Sequence, residues 1–250
     1  MTPRQALYSL CILLSVAATL LPSAPAASAE AAIPITFYWE NTWSFWTMDM
    51  RESWDSPLPK TVSIRGQDVS TCDQVMRALD GRPLTFAITR EAEPLLTCAA
   101  VSLLGNLHPP RRVLFDPDGL PEDVYRHLDA STLPWSLTAA LKRKGAYTFA
   151  EAGLRKPQPP DNSIGFIQGD ASYVLNFLAM GDFQGNGDQS VYCEYKEIRK
   201  KGPRVLQGAA LLVRKTKGGP IRAEPIVLRP AEYYKAPKSL YRTSDQRIPE

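Results

Sequence analysis

The sequence lacks the residue arrangements from which a catalytic site is usually recognised. Only 2 of its 250 residues are histidines, His108 and His127. It contains no G-x-S-x-G, no H-E-x-x-H, no Walker loop and no G-x-G-x-x-G ahead of a helix. A histidine without a placed partner is far more often a surface or capping residue than a general base. The sequence therefore predicts no catalytic residue.

The chain also has little net charge. Its 29 basic and 26 acidic side chains leave +3 at pH 7. The nearest thing to a basic cluster is mixed with Glu194 and Glu197, and it consists of Lys196, Arg199, Lys200, Lys201 and Arg204. Nucleic-acid binding requires Lys and Arg side chains gathered on one face. The composition therefore argues against a nucleic-acid partner, and we interpret the cluster as the solvated end of a hairpin.

Long apolar runs are scarce, and the one present lies at the start of the chain. Residues 7–21 are mostly apolar, follow Arg4 and precede small residues that end in Ala-Ser-Ala at Ala29. This is the pattern of an export signal with a cleavage site. A membrane anchor is the alternative, but the run has about 15 residues where a span needs about 20. We therefore expect residues 1–29 to be removed and the rest to be exported to the periplasm or cell exterior, with no segment spanning the membrane.

Cysteines are few, and no C-x-x-C spacing suggests a redox or zinc site. Cys11 lies inside the export signal, which leaves Cys72, Cys98 and Cys193 in the exported chain. In an oxidising compartment the natural disulfide is Cys72–Cys98, because both cysteines lie in one compact segment. Closing a loop of about 26 residues stabilises the fold by about 3 kcal/mol in the chain-entropy model. Cys193 lies in an alternating strand and is interpreted as a buried, inert thiol.

The pattern of apolar residues predicts an α+β protein in two parts. The 22 prolines favour many short elements. Residues 30–154 mix helices and strands, and residues 155–163 form a Pro-rich linker. Residues 164–229 contain five alternating strands with short connections, which predict an antiparallel β-meander. Residues 230–250 are expected to be poorly ordered or laid over the surface.

Within the first part, local signals place the individual elements. Ser70 and Asp73 resemble a capping box at the start of a helix that Gly81 ends. Further helices are predicted at residues 91–104, 121–128 and 133–144, and strands at residues 35–39, 61–64, 84–88 and 112–115.

An aromatic segment near the start of the exported chain is the second candidate site, after a loop described below. Its tryptophans are Trp39, Trp43, Trp46 and Trp54. Exposed, they would form a stacking platform for a sugar or an aromatic ligand. The alternative is ordinary core packing under a loop, because aromatic residues carry much of any core.

The first candidate site is a loop between two of the predicted strands. Polar residues alternate along it: Asp182, Gln184, Asn186, Asp188 and Ser190. Gly187 supplies the sharp turn that positive φ allows. In a tight loop such alternating residues all point at one centre, and their oxygen atoms suit Ca²⁺. Asp188 would contribute its backbone carbonyl.

The loop sequence Gly-Asp-Phe-Gln-Gly-Asn-Gly-Asp-Gln-Ser-Val resembles the calcium loops of EF-hand-like, dockerin and integrin-type (FG-GAP) repeats. With its flanking strands, over about residues 165–215, it is similar to single copies in exported bacterial proteins of unassigned function. The resemblance implies a calcium site, but the chain departs from the pattern at Gln184, at Ser190 and at Cys193, which replaces the twelfth-position carboxylate. Any site is expected to be weak, at about 10⁻³ M or worse. The alternative is a turn that keeps the loop shape without a metal, and no other cofactor is predicted.

Three functions remain compatible with the sequence. The first is a non-enzymatic periplasmic or secreted binding or interaction protein, with a protein or polysaccharide partner. The second is a hydrolase acting on an envelope or extracellular polymer, with the aromatic segment as its platform and an unrecognised carboxylate pair as its chemistry. The third is an envelope structural protein.

Overall fold

The structure is a computed structural model, and it describes seven stretches of the chain. These are residues 33–38, 54–84, 92–143, 145–155, 162–200, 205–230 and 241–243. The predicted export signal, residues 39–53 and the centre of the predicted linker lie outside them. Residues 85–90, which cover most of one predicted strand, also lie outside.

The described residues form an α+β fold with a mostly antiparallel sheet, as the sequence predicts. The strands are β1 (Ile35–Phe37), β2 (Val62–Ile64), β3 (Gln67–Val69), β4 (Ser163–Gln168), β5 (Ala171–Gly181), β6 (Ser190–Arg199), β7 (Val205–Val213), β8 (Arg222–Pro225) and β9 (Tyr241–Thr243). The helices are α1 (Cys72–Leu79), α2 (Ala92–Gly105), α3 (Leu120–His127) and α4 (Leu137–Arg143), and a 3₁₀ turn covers Ala130–Thr132.

The main sheet is built on the predicted meander. Its order is β8-β7-β6-β5-β1-β9, with neighbours antiparallel except for the parallel pair β1 and β9. Strand β5 is long enough to pair with two strands along the side opposite β6. Its first half pairs with β4 and its end pairs with β1.

Two hydrophobic cores lie on the two faces of this sheet. The first core contains apolar residues of α1, α2 and the β2–β3 hairpin, and the second contains those of α3 and α4. Strand β5 contributes to both because a bulge at Leu178 shifts its alternation. Phe177 and Met180 face the second core, whereas Ala179 faces the first.

The predicted disulfide is confirmed. Cys72, the first residue of α1, is bonded to Cys98 in the middle of α2. Cys193 is a free, buried thiol that donates a hydrogen bond to the carbonyl of Ala210 at 3.4 Å. Burial raises the pKa of this thiol well above its usual range. It therefore stays protonated and unreactive, since the thiolate is the nucleophile.

Two local expectations are wrong by small shifts with clear causes. The cap of α1 is Thr71 and not Ser70, and its hydroxyl accepts the N–H of Gln74 at 3.3 Å. The helix predicted at residues 133–144 begins only at residue 137. Pro134 is the reason, because a residue before proline is driven out of the helical region. Leu133 accordingly has an extended backbone with ψ 144°.

The strand predicted at residues 112–115 does not form. Arg112 makes a single bridge to Asp188, and the N–H groups of Leu114 and Phe115 both donate to the side chain of Gln189, at 2.9 and 2.8 Å. A side-chain amide oxygen thus takes the place of a strand partner.

The tail also differs from the expectation at one point, since residues 241–243 pair with β1 as strand β9.

In the part of the chain that the structure describes, no helix combines the length and the apolar character needed to cross a bilayer.

Candidate functional site

The loop between β5 and β6 is organised around the carboxylate of Asp182, which is only 4% exposed. One oxygen, Oδ1, accepts backbone N–H groups from Gln184, Gly185 and Asn186, at 3.0, 2.7 and 3.3 Å. The other oxygen, Oδ2, accepts the N–H of Gly187 at 2.7 Å. Positive φ at Gly185 (72°) and Gly187 (84°) gives the backbone the curvature that this requires. Asp182 therefore holds the loop closed by itself.

The remaining proposed ligands are also engaged within the loop or beside it. Asn186 accepts the N–H of Asp188 at 2.8 Å and donates to Gln184 at 3.2 Å. Asp188 faces a cationic side chain, with its Oδ1 3.2 Å from Nε of Arg112. Ser190 donates its hydroxyl to the carbonyl of Gly181 at 3.3 Å.

This donor set does not fit a calcium site. The structure brings the five predicted residues into one loop, but both carboxylate oxygens of Asp182 already accept N–H groups. Asp188 is turned towards Arg112. Calcium needs six to eight oxygen atoms with free lone pairs around one centre. The carboxylate of Asp182 is engaged by four backbone N–H groups, as in a capped turn.

The loop is docked against the segment at residues 108–112. His108 and Asp182 exchange two backbone hydrogen bonds of 2.9 Å, and the N–H groups of Arg111 and Arg112 donate to the carbonyl of Gly187. Gly181 permits this approach, because a Cβ there would lie 2.5 Å from Leu107. These contacts, and the role of Gln189, join residues about 75 positions apart, so local sequence patterns do not reveal them.

The aromatic platform loses one of its four proposed members. Trp54 is 8% exposed and belongs to the first core. It is therefore unavailable for stacking on a ligand. Trp39, Trp43 and Trp46 lie outside the described residues, so the platform remains a prediction for them.

A buried cation, Arg214, lies against Asp123 of α3 and the ring of Phe115. The Arg214 side chain is buried, forms an ion pair with Asp123 and stacks over Phe115, with its guanidinium carbon 4.2 Å from the ring centroid. Desolvation lowers the pKa of Arg214 to about 10. His127 extends the group, with Nδ1 2.9 Å from Oδ1 of Asp123. The cluster ties α3 to the end of β7, and nothing in the local sequence predicted it.

A second polar cluster joins the start of α4 to the sheet. Buried Glu197 accepts two hydrogen bonds from Ser136, from Oγ at 2.6 Å and from N at 2.9 Å, and one from Nε of Arg199 at 2.9 Å. Burial opposes ionisation of Glu197, but these hydrogen bonds outweigh it and hold its pKa below the usual value. The Ser136 hydroxyl also lies 3.0 Å from that of Tyr173. Glu197 thus fastens the start of α4 to β6.

A cavity of about 180 Å³ lies against the last residues of β8. Its wall is largely apolar and is formed by Leu84, Thr132, Leu133, Pro134, Tyr195, Ala209, Ala210, Ala223, Glu224 and Pro225. The Thr132 hydroxyl is occupied, because it accepts the N–H of Ala223 at 2.9 Å and donates to Asp129 at 2.6 Å. Burial raises the pKa of Tyr195, so its phenol stays neutral. The space equals about six water molecules and is below the size of most drug-binding pockets.

No known protein family, curated protein or solved structure matches this chain. The loop and the cavity are therefore judged by their geometry.

Proposed function

We propose that this chain is an exported, non-enzymatic binding protein that takes a compact apolar group into the cavity beside β8. The cavity is the observation that carries this proposal. Small side chains, Ala209, Ala210 and Ala223, leave the space, and the larger Leu84 and Leu133 complete an apolar wall. Apolar surface of this kind gains free energy when a ligand displaces water from it.

The buried polar groups support binding over catalysis. The Asp182 carboxylate closes its own loop, and Gln189, Glu197 and Arg214 each hold two parts of the fold together through the contacts described above. A catalytic acid, base or nucleophile needs a free position facing substrate. Each of these four groups instead has its position fixed by a structural partner.

The apolar group belongs either to a small molecule or to the surface of a protein or polysaccharide partner. A cavity of about 180 Å³ admits a group about the size of a benzene ring. A larger partner would therefore insert one side chain or ring and make its remaining contacts outside the cavity. The disulfide supports export, because such bonds persist in oxidising compartments.

The ligand test uses cyclohexanol as a compact apolar probe and follows the methyl resonances of Ala210 and Ala223 by NMR. We expect saturable shifts in the wild-type chain. The Ala210→Leu variant fills the cavity and should abolish the shift of the Ala223 methyl, the reporter that it retains, while Ala139→Leu, at an exposed position of α4, should not. Equal shifts in both variants, or none in the wild type, would refute the proposal.

The export test is separate. The full chain is expressed in a bacterium with a periplasm, and the processed protein is sequenced from its N-terminus. We expect residues 1–29 to be removed, so that the first residue is Glu30. A chain that keeps its leader in the cytoplasm would contradict export without affecting the cavity.

A further inference from the structure

Strand β4 forms an open edge in the part of the main sheet that the structure describes. Among the described residues it pairs only with β5, in a hairpin closed by Gly169 and Asp170. The two-residue turn makes Gln168 and Ala171 the closing hydrogen-bonded pair. Hydrogen bonding then alternates along the hairpin, so Gly165 and Ile167 direct their N–H and C=O groups away from β5.

These outward groups are accessible. Gly165 is exposed, and the Ile167 side chain is 66% exposed, the largest value among the big apolar residues described. Within the described stretches, no backbone hydrogen bond from outside the hairpin reaches either residue. Strand β4 thus presents a row of donors and acceptors to solvent, which is a template for another strand.

The sequence of β4 has none of the features that normally protect such an edge. Its six residues, Ser-Ile-Gly-Phe-Ile-Gln, include no charge and no proline. Edge strands in soluble proteins usually carry a lysine, a proline or a bulge, because an unprotected edge pairs with other chains.

The opposite edge of the same sheet shows the contrast. On β8 the N–H of Ala223 donates to Thr132 Oγ1, and the strand ends at Pro225. Just beyond its ends, Ile221 bonds with His127 and Asp129, and the Ile226 carbonyl accepts the N–H of Leu84. Among the residues that the structure describes, the β8 edge is thus covered, whereas β4 has no further partner.

An apolar row adjoins the open edge. Ile167 of β4 is in register with Ser172 of β5, which is in register with Ile198 of β6, which in turn faces Val205 of β7. The four side chains lie on one face of the sheet, and Ile198 is 38% exposed. A strand added to β4 would extend this face and cover Ile167.

We propose that β4 pairs with β4 of a second copy of this chain, antiparallel about a two-fold axis, to give a dimer with one continuous sheet. The strand complements itself when Gly165 opposes the partner subunit's Gly165. Ile164 then opposes the partner subunit's Phe166, and Ser163 opposes the partner subunit's Ile167. No like charges meet, and an isologous contact of this kind closes without forming fibres.

A contact over six residues is small. A strand of this length spans about 20 Å, so the buried area falls near the lower end of specific interfaces. We therefore expect a concentration-dependent dimer, and not an obligate one.

The test is analytical ultracentrifugation of the processed protein from about 1 µM to about 1 mM, a range that covers the dissociation constants of small interfaces. The wild type should shift from monomer to dimer. Ile167→Lys places a charge on the edge, and Gly165→Pro removes an outward N–H; both should remain monomeric throughout. Val113→Lys makes the same kind of change at an apolar residue that is 43% exposed and follows Arg112, which bridges Asp188 in another loop, and it should dimerise like the wild type.

Circular dichroism checks that each variant is folded, and amide exchange provides an independent readout. In the dimer the amides of Gly165 and Ile167 should exchange at least tenfold more slowly at high than at low protein concentration. A wild type that stays monomeric at the highest concentration would overturn the proposal. A dimer that survives in a folded Ile167→Lys or Gly165→Pro chain, or that forms without protecting these two amides, would do so as well.

Discussion

The carboxylate of Asp182 accepts the N–H of Gly187 at 2.7 Å, five residues further along the chain. Three more N–H groups converge on its other oxygen. The negative charge of Asp182 is therefore balanced by backbone donors inside the loop. A sequence that resembles a calcium loop has folded as a capped turn, and two predictions follow from this geometry.

Removing the carboxylate should destabilise the protein strongly. Asp182→Ala leaves four N–H groups without their acceptor, and we expect a loss of about 2–4 kcal/mol in the free energy of unfolding. Asp182→Asn keeps one acceptor oxygen and should lose less. Asp188→Asn breaks only the partly exposed pair with Arg112, so it should cost less than about 1 kcal/mol. Urea unfolding of the three variants measures the order, and equal losses for Asp182→Ala and Asp188→Asn would contradict it.

Calcium should have little effect on stability. A ligand stabilises a fold only when its concentration exceeds its dissociation constant. Because the Asp182 oxygens are occupied, we expect about 5 mM Ca²⁺ to raise the melting temperature by less than about 1 °C. Mg²⁺ at the same concentration controls for ionic strength. A rise of several degrees that is specific to Ca²⁺ and absent in Asp182→Ala would show that the loop does hold the metal.

The cysteines predict a simple thiol count. The unreduced, unfolded chain without its leader should react at one thiol, that of Cys193, because Cys72 and Cys98 are bonded. The Cys193→Ser variant should then show none. Reduction should cost about 3 kcal/mol of stability, the value expected for a loop of this length. A count of three thiols in the unreduced protein would rule out the bond.

The hydrogen bonds of Glu197 lead to a prediction of how the free energy of unfolding depends on pH. Its pKa is lower in the folded protein than in the unfolded chain, because Ser136 and Arg199 donate to the carboxylate. The unfolded chain therefore takes up the proton first on acidification. The stabilisation is complete above the unfolded pKa, about 4.3, and is lost as the pH falls through the lower folded value.

The measurement is chemical unfolding between about pH 7 and pH 2.5, a range that includes the titration of all carboxylates. Glu197→Gln should be less stable than the wild type at neutral pH and should lose less on acidification. Glu93→Gln, at an exposed position of α2, should follow the wild-type profile. If the Glu197→Gln and wild-type profiles stay parallel, Glu197 does not contribute in this way.

The sequence was sufficient for the fold class because the signals involved are local. The alternation along β5 and β6, the short connections between strands and the glycines near the ends of α1 and α2 act within a few residues of each other. The compact segment that holds Cys72 and Cys98 also made one disulfide the natural choice. The errors at Ser70 and Leu133 are shifts at element ends, where neighbouring residues compete for the same role.

The sites depend on contacts that no local pattern contains. Gln189 replaces a strand partner for Leu114 and Phe115, and Arg214 is buried because Asp123 and Phe115 reach it from other elements. The loop motif has the residue spacing of a calcium site, but this spacing does not show that the backbone N–H groups point at the Asp182 carboxylate. The cavity arises from small residues on β7 and β8 that look unremarkable in the sequence.

The bulge at Leu178 determines which changes in chain length β5 can tolerate. Before it, odd-numbered residues such as Phe177 face the second core, and after it the even-numbered Met180 does so. Deleting Leu178 would remove the bulge and leave Ala179 and Met180 on the faces that they occupy now, whereas deleting any other residue of β5 would turn part of the strand to the wrong core. In the two halves of β5, residues of opposite parity face the second core, and the change occurs at Leu178. Single-residue insertions or deletions within either half should therefore destabilise the protein far more than substitutions do.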